Sequence, residues 1–281
     1  TAASTPTASR RVMRDVGRRG TIEGSAMHPT VIGVIVFACT FGGALLGIWL
    51  RTALPEHHLN ADSKDTVKVG IGLIATMTAL VLGLVTASAK NSFDAVDTAV
   101  KQTAIEILAL DRVLARYGTE TREIRTNLKH AIGARIEMIW PQGSSKPANL
   151  DPIRSGAGSE AEGLADAIRG LRARDDAQRA LQSRALDLAE ALLQARWLVL
   201  AGTETSVPVP FLVILLFWLT ITFASFGLFA PRNPTVLAVL FVCAVSVGSA
   251  VFLVLEMDAP FDGLLKVSAN PFRYVYAHLN Q

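Results

Sequence analysis

The stretch VGIGLIATMTALVLGLVTASA, residues 69–89, contains no charged side chain. A helix rises about 1.5 Å per residue, so a stretch of this length can cross a hydrocarbon core of about 30 Å. Three further windows are also uncharged, at residues 31–50, 205–231 and 233–255. Because these runs are continuously apolar and do not alternate, they favour helices over barrel strands. The sequence therefore predicts four transmembrane helices.

Charged residues are concentrated between the second and third of these windows. The chain of 281 residues is 51% hydrophobic and 18% charged, with a mean hydropathy of +0.37. More than half of its 27 Lys and Arg lie within residues 90–204. We therefore predict an all-α membrane protein, with four transmembrane helices and a cytoplasmic helical bundle inserted between spans two and three. The net charge of +3 is too small, and too evenly balanced by acids, to indicate a nucleic-acid partner.

These patterns divide the chain into five segments. The side of the membrane reached by both chain ends and by the charged segment carries the larger share of Lys and Arg near the spans. This bias predicts a multi-pass protein of the inner cell membrane with both termini in the cytoplasm. In order, we predict a disordered basic tail (1–29), a transmembrane hairpin (30–89), a cytoplasmic helical domain (90–206), a second transmembrane hairpin (207–256) and a cytoplasmic C-terminal segment (257–281).

The helical periodicity of span two continues beyond the membrane. No Pro interrupts the run, so we expect one helix as far as Tyr117, ended by Gly118. Helices are also expected over about 120–140 and 160–169, and from Asp175 towards span three. The last helix is expected to begin with Asn270 as its cap and Pro271 in its first turn. The apolar stripe of the 120–140 helix consists of Ile124, Leu128, Ile132 and Ile136.

Small residues mark two kinds of surface on the spans. Gly43 and Gly47, and likewise Ala244 and Gly248, have the spacing that allows two helices to approach closely. Span two carries a longer stripe, with alternating spacings of four and three residues, which could pack against another span or line a narrow water path. The stripe is called the α2 stripe below, because span two belongs to the second predicted helix, α2 (about 66–117). It consists of Gly72, Thr76, Ala79, Gly83, Thr86 and Lys90.

Two groups of charged residues lie near the ends of the spans. The outer group is Glu56, His57, His58 and Asp62. It could cap a helix, bind a metal, or form an ion-entry or pH-sensing vestibule, since His titrates near neutral pH. Adjacent histidines on a helix point in different directions, so we predict no metal site here. The inner group, at the candidate inner mouth of a conduit, is Asp94, Asp97, Glu256 and Asp258; the last two could instead pair with Lys90 or Arg196.

The sequence contains no spacing typical of an enzyme. Metalloprotease, P-loop, Rossmann and nucleophile-elbow motifs are absent from it. Cys39 and Cys243 both fall within predicted spans, where two buried thiols are expected and not a disulfide framework. We therefore predict a protein that is not an enzyme and that needs no cofactor.

Several stretches resemble a largely bacterial family of bestrophin-like membrane proteins. True bestrophins are oligomeric anion channels with four spans, a cytoplasmic helical region between spans two and three, and a pore lined by the second span. The resemblance therefore implies a homo-oligomer, with five subunits as one option and span two around its axis. The stretches are LPEHHLNADSKDTVKVGIGLIATMTALVLGLVTASAK (54–90), RYGTETREIR (116–125), DDAQRALQSRAL (175–186), FWLTITFASFGLFAPRN (217–233) and FLVLEMDAPFDGLLKVSANPFR (252–273).

Two hypotheses for function follow. The first is a bestrophin-like ion channel in the lipid bilayer, which conducts a chloride-like anion or a monovalent cation through the α2 stripe. The second is a non-conducting scaffold or sensor whose helical domain binds a partner protein. Basic residues near the stripe weakly favour an anion, and acidic neighbours oppose it. The basic residues are Arg51, Lys64, Lys68 and Lys90, and the acidic ones are Asp62, Asp65, Asp94 and Asp97.

Overall fold

The computed structural model describes residues 28–53, 61–141, 157–201, 208–231, 233–261 and 263–281. Within these ranges the chain is all helical and contains no strand. Outside the described residues lie positions 1–27 of the predicted tail, residues 142–156 and the outer residues Glu56, His57 and His58. The helices are α1 (Pro29–Ala53), α2 (Ala61–Tyr117), α3 (Arg122–Ile139), α4 (Ala157–Arg169), α5 (Asp176–Ala201), α6 (Val209–Phe229), α7 (Pro234–Met257) and α8 (Asn270–His278), with a 3-10 turn at Thr119–Thr121.

Four of these helices are long and apolar enough to cross a membrane, as predicted. They are α1, α2, α6 and α7. Helix α2 has 57 residues and continues without a break from its apolar half into the charged half of the chain. It ends where expected, because Gly118 adopts a φ of 140°, a backbone angle that residues other than glycine rarely adopt.

Helices α1, α6 and α7 pack closely through their small residues. A Cβ atom on Gly47 would lie 1.9 Å from the carbonyl oxygen of Ala224, and one on Gly227 would lie 2.0 Å from that of Ala44. Gly248 meets the carbonyl oxygen of Gly33 in the same way, at 3.2 Å. The predicted close approaches are therefore confirmed, and no side chain could replace hydrogen at the α1–α6 contacts without moving the backbone.

The contact registers give the relative directions of the spans. Gly43 lies against Thr220 and Gly47 against Ala224, so α1 and α6 run parallel. Ala89 of α2 packs with Val254 of α7, near the C-terminal ends of both apolar windows. The N-terminal ends of α1 and α6 therefore lie on the same side as the C-terminal ends of the α2 and α7 spans.

Helix α2 is the least covered of the four spans. Only 6% of the residues in its most apolar window are buried, against 33% in α1, 28% in α6 and 22% in α7. It rests on α6 and α7 along one side. The rest of its membrane-length surface is open in the single chain.

The C-terminal half of α2 forms a helical bundle with α3, α4, α5 and α8. Thr121 closes the α2–α3 corner, because its hydroxyl donates to the carbonyls of Leu114 (2.6 Å) and Gly118 (2.8 Å). The predicted apolar stripe of α3 is buried, as expected for the core-facing side of an amphipathic helix. The core residues contributed by α2 include Val96, Val100, Ala104, Ile107, Leu110 and Leu114.

The predicted cap of the last helix is wrong by one residue. Helix α8 includes Asn270, and Ala269 occupies the N-cap position. The N-cap has no side-chain capping bond, but the N–H of Asn270 donates to the hydroxyl of Ser268 at 3.2 Å, so a serine oxygen binds the first N–H of the helix. Pro271 lies in the first turn, as predicted.

Candidate functional site

The α2 stripe lies on the uncovered side of its helix. Gly72, Thr76, Ala79, Gly83 and Lys90 are exposed in the single chain, and Thr86 is half-buried. A Cβ atom added to Gly72 or Gly83 would meet no atom within 4 Å. The stripe glycines therefore do not serve close packing within their own chain, unlike the glycines of α1, α6 and α7.

A second exposed face lies beside the stripe. Its members follow the stripe residues by one position, so they lie about 100° round the helix. They are large and apolar, with exposed fractions from 48% to 64%. Helix α2 thus presents a narrow face of small residues next to a face of bulky ones, Leu73, Met77, Leu80 and Leu84.

The threonines of the stripe are hydrogen-bonded to their own helix. The hydroxyl of Thr76 donates to the carbonyl of Gly72 at 2.8 Å, and that of Thr86 donates to the carbonyl of Leu82 at 2.7 Å. In this arrangement the hydroxyl hydrogen is bound within the helix, and the free lone pairs of each oxygen point away from it. These lone pairs can bind a cation or accept a hydrogen bond from water. A hydroxyl must rotate away from its carbonyl before it can donate to an anion.

Ion pairs neutralise the charges at the C-terminal end of the stripe and just beyond it. Lys90 pairs with Asp94, and Lys101 pairs with Asp97 at 2.6 Å. Each lysine therefore has a carboxylate one helical turn away, and neither sign dominates this part of α2.

Glu256 has a different environment from the one predicted. The side chain is 4% exposed, and its carboxylate accepts hydrogen bonds from the N–H groups of Leu264 (2.6 Å) and Leu265 (3.5 Å). Of the two lysine or arginine partners considered for it, Lys90 pairs locally with Asp94, and nothing is described of the Arg196 side chain. The carboxylate of Glu256 therefore stabilises the turn that follows α7, and it is not exposed at the end of a conduit. Asp258, two residues on, is half-buried.

The outer group cannot be placed as a cluster. Its first three members lie outside the described residues, and of the Asp62 side chain nothing is described. Further along the same end of α2, Asp65 pairs with Lys68 at 3.1 Å in an exposed position. Across the described ranges, no group of three His, Cys, Asp or Glu side chains is arranged to hold a metal ion.

A buried ion pair escaped the sequence analysis. Asp111 of α2 is fully buried and binds Arg125 of α3 through two hydrogen bonds of 2.8 and 2.9 Å. The hydrogen bond with Asp111 raises the pKa of Arg125; burial lowers it and the attraction of the carboxylate raises it further. One feature of the sequence could have indicated this pair. Asp111 lies in register with buried apolar residues of α2 such as Ile107 and Leu114.

A crevice of about 800 Å³ lies between α2, α3, α4 and α5. Val100, Ile107 and Leu128 on its walls are at most 5% exposed, whereas Asn127 and His130 are exposed, so the crevice has an apolar interior and a polar rim. Its polar lining also includes Arg135. The crevice begins on α2 at Val100, beyond the last stripe residue Lys90, and it belongs to the helical bundle and not to the stripe.

The family model for the Bestrophin-like domain matches residues 38–272. This segment extends from the first span to the start of α8 and includes the α2 stripe. Neither the curated proteins nor the solved structures provide a significant match to the chain. Because the matched segment covers well over half of the sequence, the protein belongs to the bestrophin-like family.

Proposed function

We propose that this protein is a homo-oligomeric ion channel whose conduit is lined by the α2 stripe. The observation that carries the proposal is the open surface of α2, whose apolar window is 6% buried. A span that its own chain leaves uncovered must contact lipid, other copies or water. The two exposed faces of α2, the stripe and the bulky face beside it, can meet two of these needs at once.

The small face of α2 suits an aqueous path better than lipid. Glycines in lipid-facing positions gain little, whereas glycines on a conduit leave room for water and a partly hydrated ion. The hydroxyls of Thr76 and Thr86 supply polar contacts at two levels of the same face. Lys90 continues the face into the charged half of the helix.

The bulky face suits contacts between copies. A ring of spans requires each α2 to touch its neighbours beside the surface that faces the axis. The large residues next to the stripe supply apolar side chains for this contact, which would close the ring against lipid. The number of subunits that fits the family resemblance is five.

Charges of both signs lie near the end of the stripe. Lys90 favours an anion, but Asp94 offsets it, and the threonine oxygens point their lone pairs outward. We propose an anion as the permeant species, with the helical bundle and both chain ends in the cytoplasm. The family resemblance and the Lys and Arg bias support these two assignments.

The experiment is an ion-flux assay in proteoliposomes under a chloride gradient and then a sodium gradient. We expect flux under the chloride gradient, strongly reduced in Gly83→Leu and Thr76→Leu. Gly42→Leu is the matched control, because Gly42 of α1 also has no atom within 4 Å of an added Cβ but lies off the stripe. Unchanged flux in both stripe variants would refute the proposed lining. Absence of flux from an intact oligomer would favour the scaffold or sensor role.

A further inference from the structure

The turn that follows α7 exposes two leucines. Leu264 is 82% exposed, the highest value among the large apolar side chains that the structure describes, and Leu265 is 39% exposed. Lys266 comes next and is also exposed. Two adjacent exposed leucines followed by a lysine form a candidate contact with an apolar surface beyond the single chain.

The turn is held in place by its own hydrogen bonds. Buried Glu256 accepts the N–H of Leu264, and Gly263 takes up a φ of 91° beside that carboxylate. The N–H of Val267 donates to the carbonyl of Pro260 at 2.8 Å, and the carbonyl of Val267 accepts from the indole of Trp140 at 2.8 Å. The exposure of the leucines is thus a property of a fixed turn.

The turn lies close to the end of an apolar span. Helix α7 ends at Met257, and Met257 packs with Ala89 and Val254 where the apolar window of α2 also ends. Lys90 is the next residue of α2. The turn therefore follows within a few residues of the level at which both spans meet their first charges.

We propose that residues 263–266 form a membrane-contact turn that binds the bilayer crossed by α7. Leu264 and Leu265 enter the boundary between headgroups and acyl chains, about 5–10 Å deep. Lys266 contacts anionic headgroups. Leucines followed by a lysine match the apolar and anionic layers of that boundary, and the turn follows directly after the C-terminal end of α7. The inference rests on the membrane location in the proposed function but does not require ion conduction.

The test uses the full-length protein in a Cys39→Ala, Cys243→Ala background with one environment-sensitive fluorophore attached at Leu264→Cys. The vesicles contain phosphatidylcholine with or without phosphatidylglycerol, and their acyl chains carry bromine near the carbonyl end as quencher. Leu253→Cys, on exposed α7 surface, is the positive control, and Ile105→Cys, on exposed α2 surface of the helical bundle, is the negative control.

We expect bromine to reduce the Leu264→Cys signal about two-fold or more, as at Leu253→Cys, with no change at Ile105→Cys. In anionic vesicles, Lys266→Gln should reduce the quenching to the level in neutral vesicles. No such reduction would overturn the headgroup contact.

Quenching at Leu253→Cys without quenching at Leu264→Cys would refute the membrane contact of the turn. It would leave the membrane location of α7 intact. Efficient disulfide crosslinking of Leu264→Cys between copies would also overturn the membrane contact of the turn, because a second chain would then cover the leucines. Failure of quenching at Leu253→Cys as well would refute the membrane location itself, and the proposal with it.

Discussion

The carboxylate of Asp111 accepts two hydrogen bonds from the guanidinium of Arg125, from Nε at 2.8 Å and from Nη2 at 2.9 Å. Asp111 is fully buried and Arg125 is 16% exposed. Nη2 of Arg125 also reaches the carbonyl of Gln281 at 3.3 Å. One side chain thus joins the long helix α2, helix α3 and the C-terminal residues.

Removing the charge of Asp111 should destabilise the helical bundle. In Asp111→Asn the guanidinium loses its buried counter-charge, and we expect a cost of about 3 kcal/mol. Asp166→Asn is the matched control, because Asp166 and Arg169 form an exposed pair whose loss should cost about 1 kcal/mol or less. Apparent melting temperatures in detergent compare the two, and equal shifts would contradict a structural role for the buried pair.

The stabilisation from this pair should persist under alkaline conditions. The hydrogen bond with Asp111 raises the pKa of Arg125 above its ordinary, already strongly basic value. A group whose pKa is raised by folding stabilises the folded state fully at pH values below its unfolded pKa. This stabilisation is lost only as the pH rises above the unfolded pKa and through the folded pKa. The difference in melting temperature between the wild type and Asp111→Asn should therefore stay constant from neutral to mildly alkaline pH. A difference that shrinks over this range would show that Arg125 is not the stabilising partner.

The α1–α6 contact should not tolerate even a methyl group. A Cβ atom on Gly47 would lie 1.9 Å from the carbonyl oxygen of Ala224, so Gly47→Ala must push the two backbones apart. We expect a loss of about 2 kcal/mol or more and a lower melting temperature in detergent. Gly42→Ala, in open space on the same helix, should melt like the wild type. If the two variants behave alike, the helices do not pack as described.

The side of the membrane that holds the helical bundle can be tested at His130. This residue is exposed on α3. We proposed a cytoplasmic bundle from the bias of Lys and Arg near the spans. In the cysteine-free background, His130→Cys should react with a membrane-impermeant maleimide in inside-out vesicles and not in intact cells. Labelling in intact cells would reverse the orientation and place the bundle outside.

The sequence predicted features that depend on long periodic patterns. The stripe of α3 and the end of α2 at Gly118 follow from apolar spacing and from the conformational freedom of glycine. The contacts of Gly43, Gly47 and Gly248 followed from spacing as well, although their partner helices did not.

Contacts between particular side chains and backbone groups of different elements could not be predicted from the sequence. Glu256 was a candidate for the inner mouth or for a pair with Lys90 or Arg196, but the turn after α7 brings the N–H of Leu264 to within 2.6 Å of its carboxylate. Asn270 looked like a cap, but the hydroxyl of Ser268 accepts its N–H. The Asp111–Arg125 pair joins two helices across the turn between them. The periodicity of each helix predicts its buried face but does not predict how the two helices are oriented relative to each other.

The most direct test of the proposed conduit asks which face of α2 meets the permeant ion. Gly83→Cys lies on the stripe, and Leu84→Cys lies on the bulky face one residue later; both positions are exposed in the single chain. In cysteine-free proteoliposomes, a charged methanethiosulfonate reagent should block ion flux through Gly83→Cys and leave flux through Leu84→Cys unchanged. Block at Leu84→Cys with full flux through modified Gly83→Cys would contradict the account.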